Sequence, residues 1–162
     1  MHLTTFFTAV FFGAITSTGV LAKPLPQSSG SSVSGYFPSI TEIGWCLIPL
    51  NIDDCAKAQD HADEASQAAQ ELFPDSLHNG KGDAFRHCYW NARMTIELGV
   101  DQAKSIGDNH ETGSDGPEAE KSMDLTNNAT GRQIGLDAGE SYSSAKAACL
   151  AAATAGRLVT LE

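Results

Sequence analysis

The sequence predicts an all-α fold, a single compact domain of five to six helices held by two disulfides. Three observations carry that expectation. Apolar residues recur at spacings of three and four through most of the chain from Tyr36 onward, and nowhere do apolar and polar residues alternate as in a half-buried strand. Turn and helix-breaking residues punctuate those stretches at Pro74, Asn79-Gly80, Gly99, the run Thr112 to Pro117, and Gly139. Cys46, Cys55, Cys88 and Cys149 form an even set of the kind that staples small secreted domains.

Residues 1–22 contain no Asp, Glu, Lys or Arg, and Phe6 to Val20 is a run of apolar and small residues too short to span a bilayer comfortably. With Val20 and Ala22 as small residues before a cleavage point, 1–22 is expected to be a signal peptide and the product to be secreted, extracellular. Residues 23–35, KPLPQSSGSSVSG, have little to bury and are expected to be a disordered mature N-terminus, leaving 36–162 as the helical domain. Ser39-Ile40-Thr41-Glu42 reads as a capping box, and Ile40, Ile43, Leu47 and Leu50 follow at helical spacing until Pro49 and Asn51 interrupt. Asp53 or Asp54 can cap a second helix to about Phe73, with Ala58, Ala62, Ala65, Ala69 and Leu72 as its inner stripe. Asp60, Asp63, Glu64 and Glu71 suit its solvated face, and His61 among them reads as a surface histidine. A third helix runs from Asp83 to Leu98 and stops at Gly99. A fourth covers about Asp101 to Glu111, with Ala103 and Ile106 inward. The fifth opens at Pro117, carries Met123, Leu125 and Ile134, and reaches about Leu136. Ser141 or Ser143 caps the last, whose Ala147, Ala148, Leu150, Ala151, Ala155, Leu158 and Val159 leave it apolar almost all round and so expected to be well buried.

Removing 22 of 162 residues leaves 140, enough for one domain. All 10 Lys and Arg and all 20 Asp and Glu fall after Ala22, so the mature chain keeps a formal charge of -10. A field of that sign disfavours nucleic acid and anionic bilayers as partners and attracts divalent cations. No later apolar run is long enough for stable membrane insertion, and nothing indicates the oligomeric state. Four cysteines admit three connectivities; the favoured one pairs Cys46 with Cys55, across a short turn between adjoining helices, and Cys88 with Cys149. No C-x-x-C pair exists to suggest a four-cysteine zinc site.

Chemistry concentrates in Asn79 to Asn91, where Asp83, Arg86, His87, Cys88, Trp90 and Asn91 crowd together. Asp83, His87 and Asn91 are each four apart, as are Asp124, Asn128 and Arg132, so the third and fifth helices each present a polar ridge. Such ridges pack poorly unless they face one another or solvent. Asp83, His87, His110, Glu111, Asp124, Asn128 and Arg132 are therefore expected to converge in one pocket, with Arg86, Asn91 and Asn127 as further polar site residues. His87, His110, Asp124 and Asn128 are the candidate metal ligands: imidazole with carboxylate suits zinc, and carboxylate with amide oxygen suits calcium or magnesium. Asp83 could orient His87 as a general base, with Glu111 as a second acid or base and Arg132 balancing developing negative charge. The competing reading is a buried network that only fixes helix register. No organic cofactor is expected, since there is no Gly-rich nucleotide loop, G-x-S-x-G elbow or H-E-x-x-H. Asn128-Ala129-Thr130 is a glycosylation sequon, closed to modification if Asn128 faces the site.

Three ordered blocks, Gly82-Asp83-Ala84-Phe85-Arg86-His87-Cys88-Tyr89-Trp90-Asn91, His110-Glu111, and Lys121-Ser122-Met123-Asp124-Leu125-Thr126-Asn127-Asn128-Ala129-Thr130-Gly131-Arg132, resemble a functionally unassigned helical family. Its pattern is D-A-x-R-H-x-x-W-N, H-E and M-D-x-x-N-N-x-x-G-R, in secreted fungal proteins and at the carboxyl ends of bacterial polymorphic-toxin and wall-associated proteins. That setting implies an activity directed at other cells. The small secreted phospholipases A2 offer a weaker likeness: they too are helical, disulfide-linked and built around a helix histidine. There an aspartate follows the histidine, whereas Cys88 follows His87, and no calcium loop stands in the expected register.

The function expected is a secreted, metal-assisted hydrolase of toxin or effector type, acting on an envelope or lipid component of another cell. The alternatives are a phospholipase A2-like enzyme and a non-enzymatic effector or antimicrobial binding protein.

Overall fold

The helices come closest together where the sequence leaves out side chains. The computed structural model describes residues 40–48 and 51–162. The expected signal peptide, the stretch 23–35, the cap at Ser39, and Pro49 and Leu50 lie outside the described residues. Six helices form: α1 Ile40–Cys46, α2 Ile52–Leu72, α3 Lys81–Leu98, α4 Val100–Thr112, α5 Glu118–Ala138 and α6 Tyr142–Thr154. There is no strand among the described residues.

Local chemistry sets the ends. Asn79 takes a left-handed φ of 61°, a conformation that asparagine tolerates, and turns the chain into α3. α3 starts two residues earlier than expected because Ser76 supplies partners for its first amides: Oγ accepts from Gly82 N at 3.0 Å and the carbonyl from Asp83 N at 3.1 Å. Asn51, rather than Asp53 or Asp54, is the residue before α2; both aspartates sit in its first turn, where the helix dipole favours them. Ser141 caps α6, its Oγ accepting from Ser144 N at 3.1 Å.

α3 is the central helix, packed against α2, α4, α5 and α6. Against α5 it is nearly bare backbone on backbone, for a Cβ added at Gly131 would stand 2.1 Å from the Cys88 carbonyl oxygen, and one at Gly135 2.6 Å from that of Ala92. This crossing seats the polar ridge of α5 on the polar ridge of α3. Gly107 gives similar access on α4, where a Cβ would lie 3.0 Å from Asn91 Oδ1. On the other side of α3, Ala58, Ala62, Ala65 and Ala69 of α2 are buried, and Trp90 anchors the contact by donating Nε1 to the Ala58 carbonyl at 2.9 Å. Leu72 departs from that stripe and is exposed.

The disulfides join Cys46 to Cys55 and Cys88 to Cys149, with Cα separations of 5.8 and 5.9 Å. The first ties α1 to α2 and the second ties α3 to α6. Closing the 61-residue separation of the second stabilises the fold by about 4 kcal/mol in the chain-entropy account.

Two expectations need correction. His61 is buried, not a surface residue: its Nδ1 accepts from Arg93 Nε at 3.1 Å and its Nε2 stands 3.0 Å from Glu97. It lies three residues after Ala58 and four before Ala65, so the inner stripe includes it. α6 is buried on one face only, through Ala145, Cys149, Ala152 and Ala153, and ends at Thr154 before Gly156 at φ 67°. Leu158 reaches the core from the tail, while Val159 is exposed.

Adding a methyl at the crossing should separate the two helices. Gly131→Ala should cost about 1–3 kcal/mol or more by overpacking. Gly44→Ala in α1, where an added Cβ meets nothing within 4 Å, should be neutral or stabilise by up to about 1 kcal/mol. Urea denaturation of the two variants measures this, and equal effects would refute the close crossing.

Candidate metal centre

The facing ridges enclose polar groups that are almost wholly shielded from water. Asp83, His87, Asn91, Glu111, Asn127 and Asn128 are all buried, with Asn91 and Asn128 at 0 % exposure. Groups so placed must satisfy one another.

They do so in a chain whose direction is fixed at one end. Arg132 can only donate, and its Nη1 lies 3.1 Å from Asn91 Oδ1, so that oxygen accepts. Asn91 Nδ2 therefore donates to Asn128 Oδ1 at 2.7 Å, and Asn128 Nδ2 to Glu111 Oε1 at 3.1 Å. His87 Nδ1 also lies 3.2 Å from Asn128 Oδ1 and must carry a hydrogen. The other ring nitrogen, Nε2, is thus left with its lone pair. Arg86 confirms this from the opposite side, since its Nη2 donates to that same Nε2 at 2.6 Å. Two donor-only guanidiniums thereby agree on one histidine tautomer.

Nε2 faces a cleft of about 180 Å³ lined by Arg86, His110, Glu111, Lys121 and Asp124 among others. It lies 3.3 Å from Asp124 Oδ1 and 3.6 Å from Asp83 Oδ1. Burial, then the Arg86 and His110 charges, hold the His87 pKa well below its ordinary value, so the ring is neutral. Burial raises Glu111. Asp124 is pushed up to about 8, by burial first and then by Glu111 and Asp83, and its Oδ1 has no hydrogen-bond partner. Asp83 is held from behind: the Asn79 amide donates to its Oδ2 at 2.8 Å, and the Asn79 side chain donates to Glu120 at 2.8 Å.

Asp83, His87 and Asp124 each offer a ligand atom, all within 4.8 Å of one another. A tetrahedral ion with bonds of roughly 2.0–2.2 Å separates its donors by about 3.3–3.6 Å. The two separations at Nε2 match that spacing, and an orphaned carboxylate oxygen is the atom a cation would satisfy. One imidazole with two carboxylates suits a divalent transition ion, zinc foremost.

The expected site residues divide accordingly. Asp83, His87, Glu111, Asp124 and Asn128 form one cluster. His110 lines the same cleft but packs edge-on against Trp90, ring centroids 5.3 Å apart, outside the ligand group. Asn128, expected as a ligand, has its oxygen and nitrogen committed to the hydrogen-bond chain, and its burial closes the sequon to glycosylation. Arg132, expected beside developing charge, is instead behind Asn91; burial lowers its pKa, opposed by Asp108. Asn127 is not at the site: it clamps the tail, its Nδ2 donating to the Val159 carbonyl and its Oδ1 accepting from Val159 N, both at 2.9 Å. Asn79 and Lys121 were not singled out as site residues. Lys121 stands three residues before Asp124 on α5, so helical spacing points to it; Asn79 lies in the turn before α3, and only the left-handed preference of Asn-Gly signals it.

A family model described as Domain of unknown function (DUF6973) matches residues 45–157, which take in the whole centre. No solved structure matches the chain.

Long-range ¹⁵N NMR of His87 at neutral pH, without added metal, should show Nδ1 protonated and Nε2 bare. The reverse tautomer would break the chain of donors. Asn128→Ala should cost at least about 1–3 kcal/mol in thermal or urea denaturation, because it strands the partners of a buried amide.

Proposed function

The chain belongs to the DUF6973 family, and from the geometry of the centre we propose that it is a secreted, metal-assisted hydrolase. The observation that carries this reading is the convergence of Asp83, His87 and Asp124, with Asp124 Oδ1 unpartnered. A divalent ion held there would act as a Lewis acid and lower the pKa of a bound water. The protein's own groups do the positioning. Asn128 fixes the His87 tautomer, Glu111 anchors Asn128, and the Asn79 amide orients Asp83.

Secretion is supported by the two disulfides. Among the described residues no helix is long and apolar enough to cross a membrane. An envelope or lipid target in another cell, and a toxin or effector role, are supported by the resemblance of the three sequence blocks. The phospholipase A2-like alternative calls for a calcium loop, whereas these ligand atoms stand on helices α3 and α5. One observation favours the non-enzymatic binder: Arg86 Nη2 also contacts Asp83 Oδ1, at 2.5 Å, giving the carboxylates an internal counter-cation.

Titrating chelator-treated protein with zinc, calcium and magnesium separates these readings. One ion should bind and, at about 100 times its Kd, raise Tm by roughly 5–15 °C. Asp124→Ala should weaken that binding at least about 10-fold. His87→Ala should abolish turnover of lipid or wall-precursor substrates without changing the far-UV helix signal. No binding by any of the three ions, with Tm indifferent to EDTA, would leave the binder.

A further inference from the structure

Taking the metal-assisted reading as its base, we infer that the centre accepts a substrate bearing a single terminal phosphate, a phosphomonoester. Arg86 and Lys121 are the side chains that bind its non-bridging oxygens. Both line the cleft, Arg86 from α3 and Lys121 from α5. Lys121 forms no ion pair among the described residues.

Arg86 stands where it cannot remain once an ion enters. Its Nη2 is 2.5 Å from Asp83 Oδ1 and 2.6 Å from His87 Nε2, and those two atoms are 3.6 Å apart. An ion bonded to both at roughly 2 Å would fall within about 3 Å of Nη2 on either side of the line joining them. Two cations do not share that space. No other carboxylate pairs with Arg86 among the described residues, and its buried Nε has no hydrogen-bond partner, so once an ion takes Asp83 and His87 little retains the guanidinium. The cleft it already lines is the way out.

Charge then selects the ligand. Asp83, Glu111, Glu120 and Asp124 bring four formal negative charges, and Arg86 and Lys121 two positive ones. With all four ionised, as ion binding requires of the ligand carboxylates, the deficit is two; a divalent ion cancels it, so anion binding depends on that ion. The incoming group would meet the ion, a guanidinium fork and an ammonium together. A phosphomonoester has three non-bridging oxygens, one for each; a carboxylate or a phosphodiester, with two, does not. A cleft of about 180 Å³ suits a headgroup-sized moiety rather than an acyl chain. The chain's formal charge of -10 disfavours polyanions and anionic bilayers, which leaves a lone phosphate on an otherwise neutral or cationic molecule. In the hydrolysis this implies, a water oxygen bonds to phosphorus and the bond from phosphorus to the alcohol oxygen breaks. That oxygen leaves with the electron pair and takes up the proton released by the water.

The test uses the full chain and the variants Arg86→Gln and Lys121→Ala. Ion binding is measured first by calorimetry, then inorganic phosphate and acetate are titrated onto ion-loaded and ion-free protein. Phosphate should bind only the ion-loaded form, and acetate at least about 10-fold more weakly. Lys121→Ala should weaken phosphate about 10-fold with ion affinity unchanged. Arg86→Gln should weaken phosphate at least as much, with ion affinity unchanged or tighter. p-Nitrophenyl phosphate should then be hydrolysed, and not by His87→Ala; turnover of glycerophosphocholine or phosphatidylcholine vesicles in its place would overturn the monoester assignment. An ion that binds without promoting phosphate binding, acetate binding as tightly as phosphate, or Arg86→Gln losing ion affinity would each overturn the inference while sparing the metal-assisted reading. Failure of any ion to bind overturns both.

Discussion

The ring nitrogen that His87 turns to the cleft owes its lone pair to an arginine that never enters the cleft. Arg132 can only donate, and that fact passes through the two amide groups of Asn91 and Asn128 to reach the opposite ring nitrogen. Asn91, Asn128 and His87 are buried, so water competes little there and a reversed amide would leave like groups facing one another. The bland alternative, a network that merely sets helix register, shares these same bonds. What distinguishes a centre from a brace is the other side of the ring, where a carboxylate oxygen lies buried and unpaired.

The backbone arrangement has to precede that chemistry. Asn91 and Asn128 meet at 2.7 Å because Gly131 lets α5 lie on the carbonyl of Cys88, and Gly107 leaves room on α4 for Asn91. Small residues are usually read as a packing convenience. Here they set the distance over which short amide side chains can bond, and a longer reach would have required longer, less well ordered groups.

Much of this was legible in the sequence, for identifiable reasons. The four-residue spacing of Asp83, His87 and Asn91 and of Asp124 and Asn128 survives folding because a helix keeps its own periodicity. Breakers such as Pro74 and Gly99 are local, so helix ends fell within a few residues of expectation. What could not be read was which side of a ridge a neighbour takes. Asn127 and Asn128 are adjacent and chemically alike, yet one clamps the tail and the other orients the histidine. Arg86 reaches the cleft as expected and Arg132 does not, for the same reason: only the rotation of α3 and α5 about their axes decides which guanidinium points there. His61 was misread because its acidic neighbours outweighed its place on the alanine stripe.

The bond between Cys88 and Cys149 acquires a second meaning from its position. Cys88 adjoins His87 in sequence, and its carbonyl is the surface on which Gly131 rests. Reducing that disulfide would release α6 from the very turn that carries the ligand, at the point where α3 and α5 touch. The oxidising conditions that form the bond would then govern the centre's geometry as well as the fold's durability, and its full burial keeps outside thiols from the tether as long as α3 and α6 stay packed.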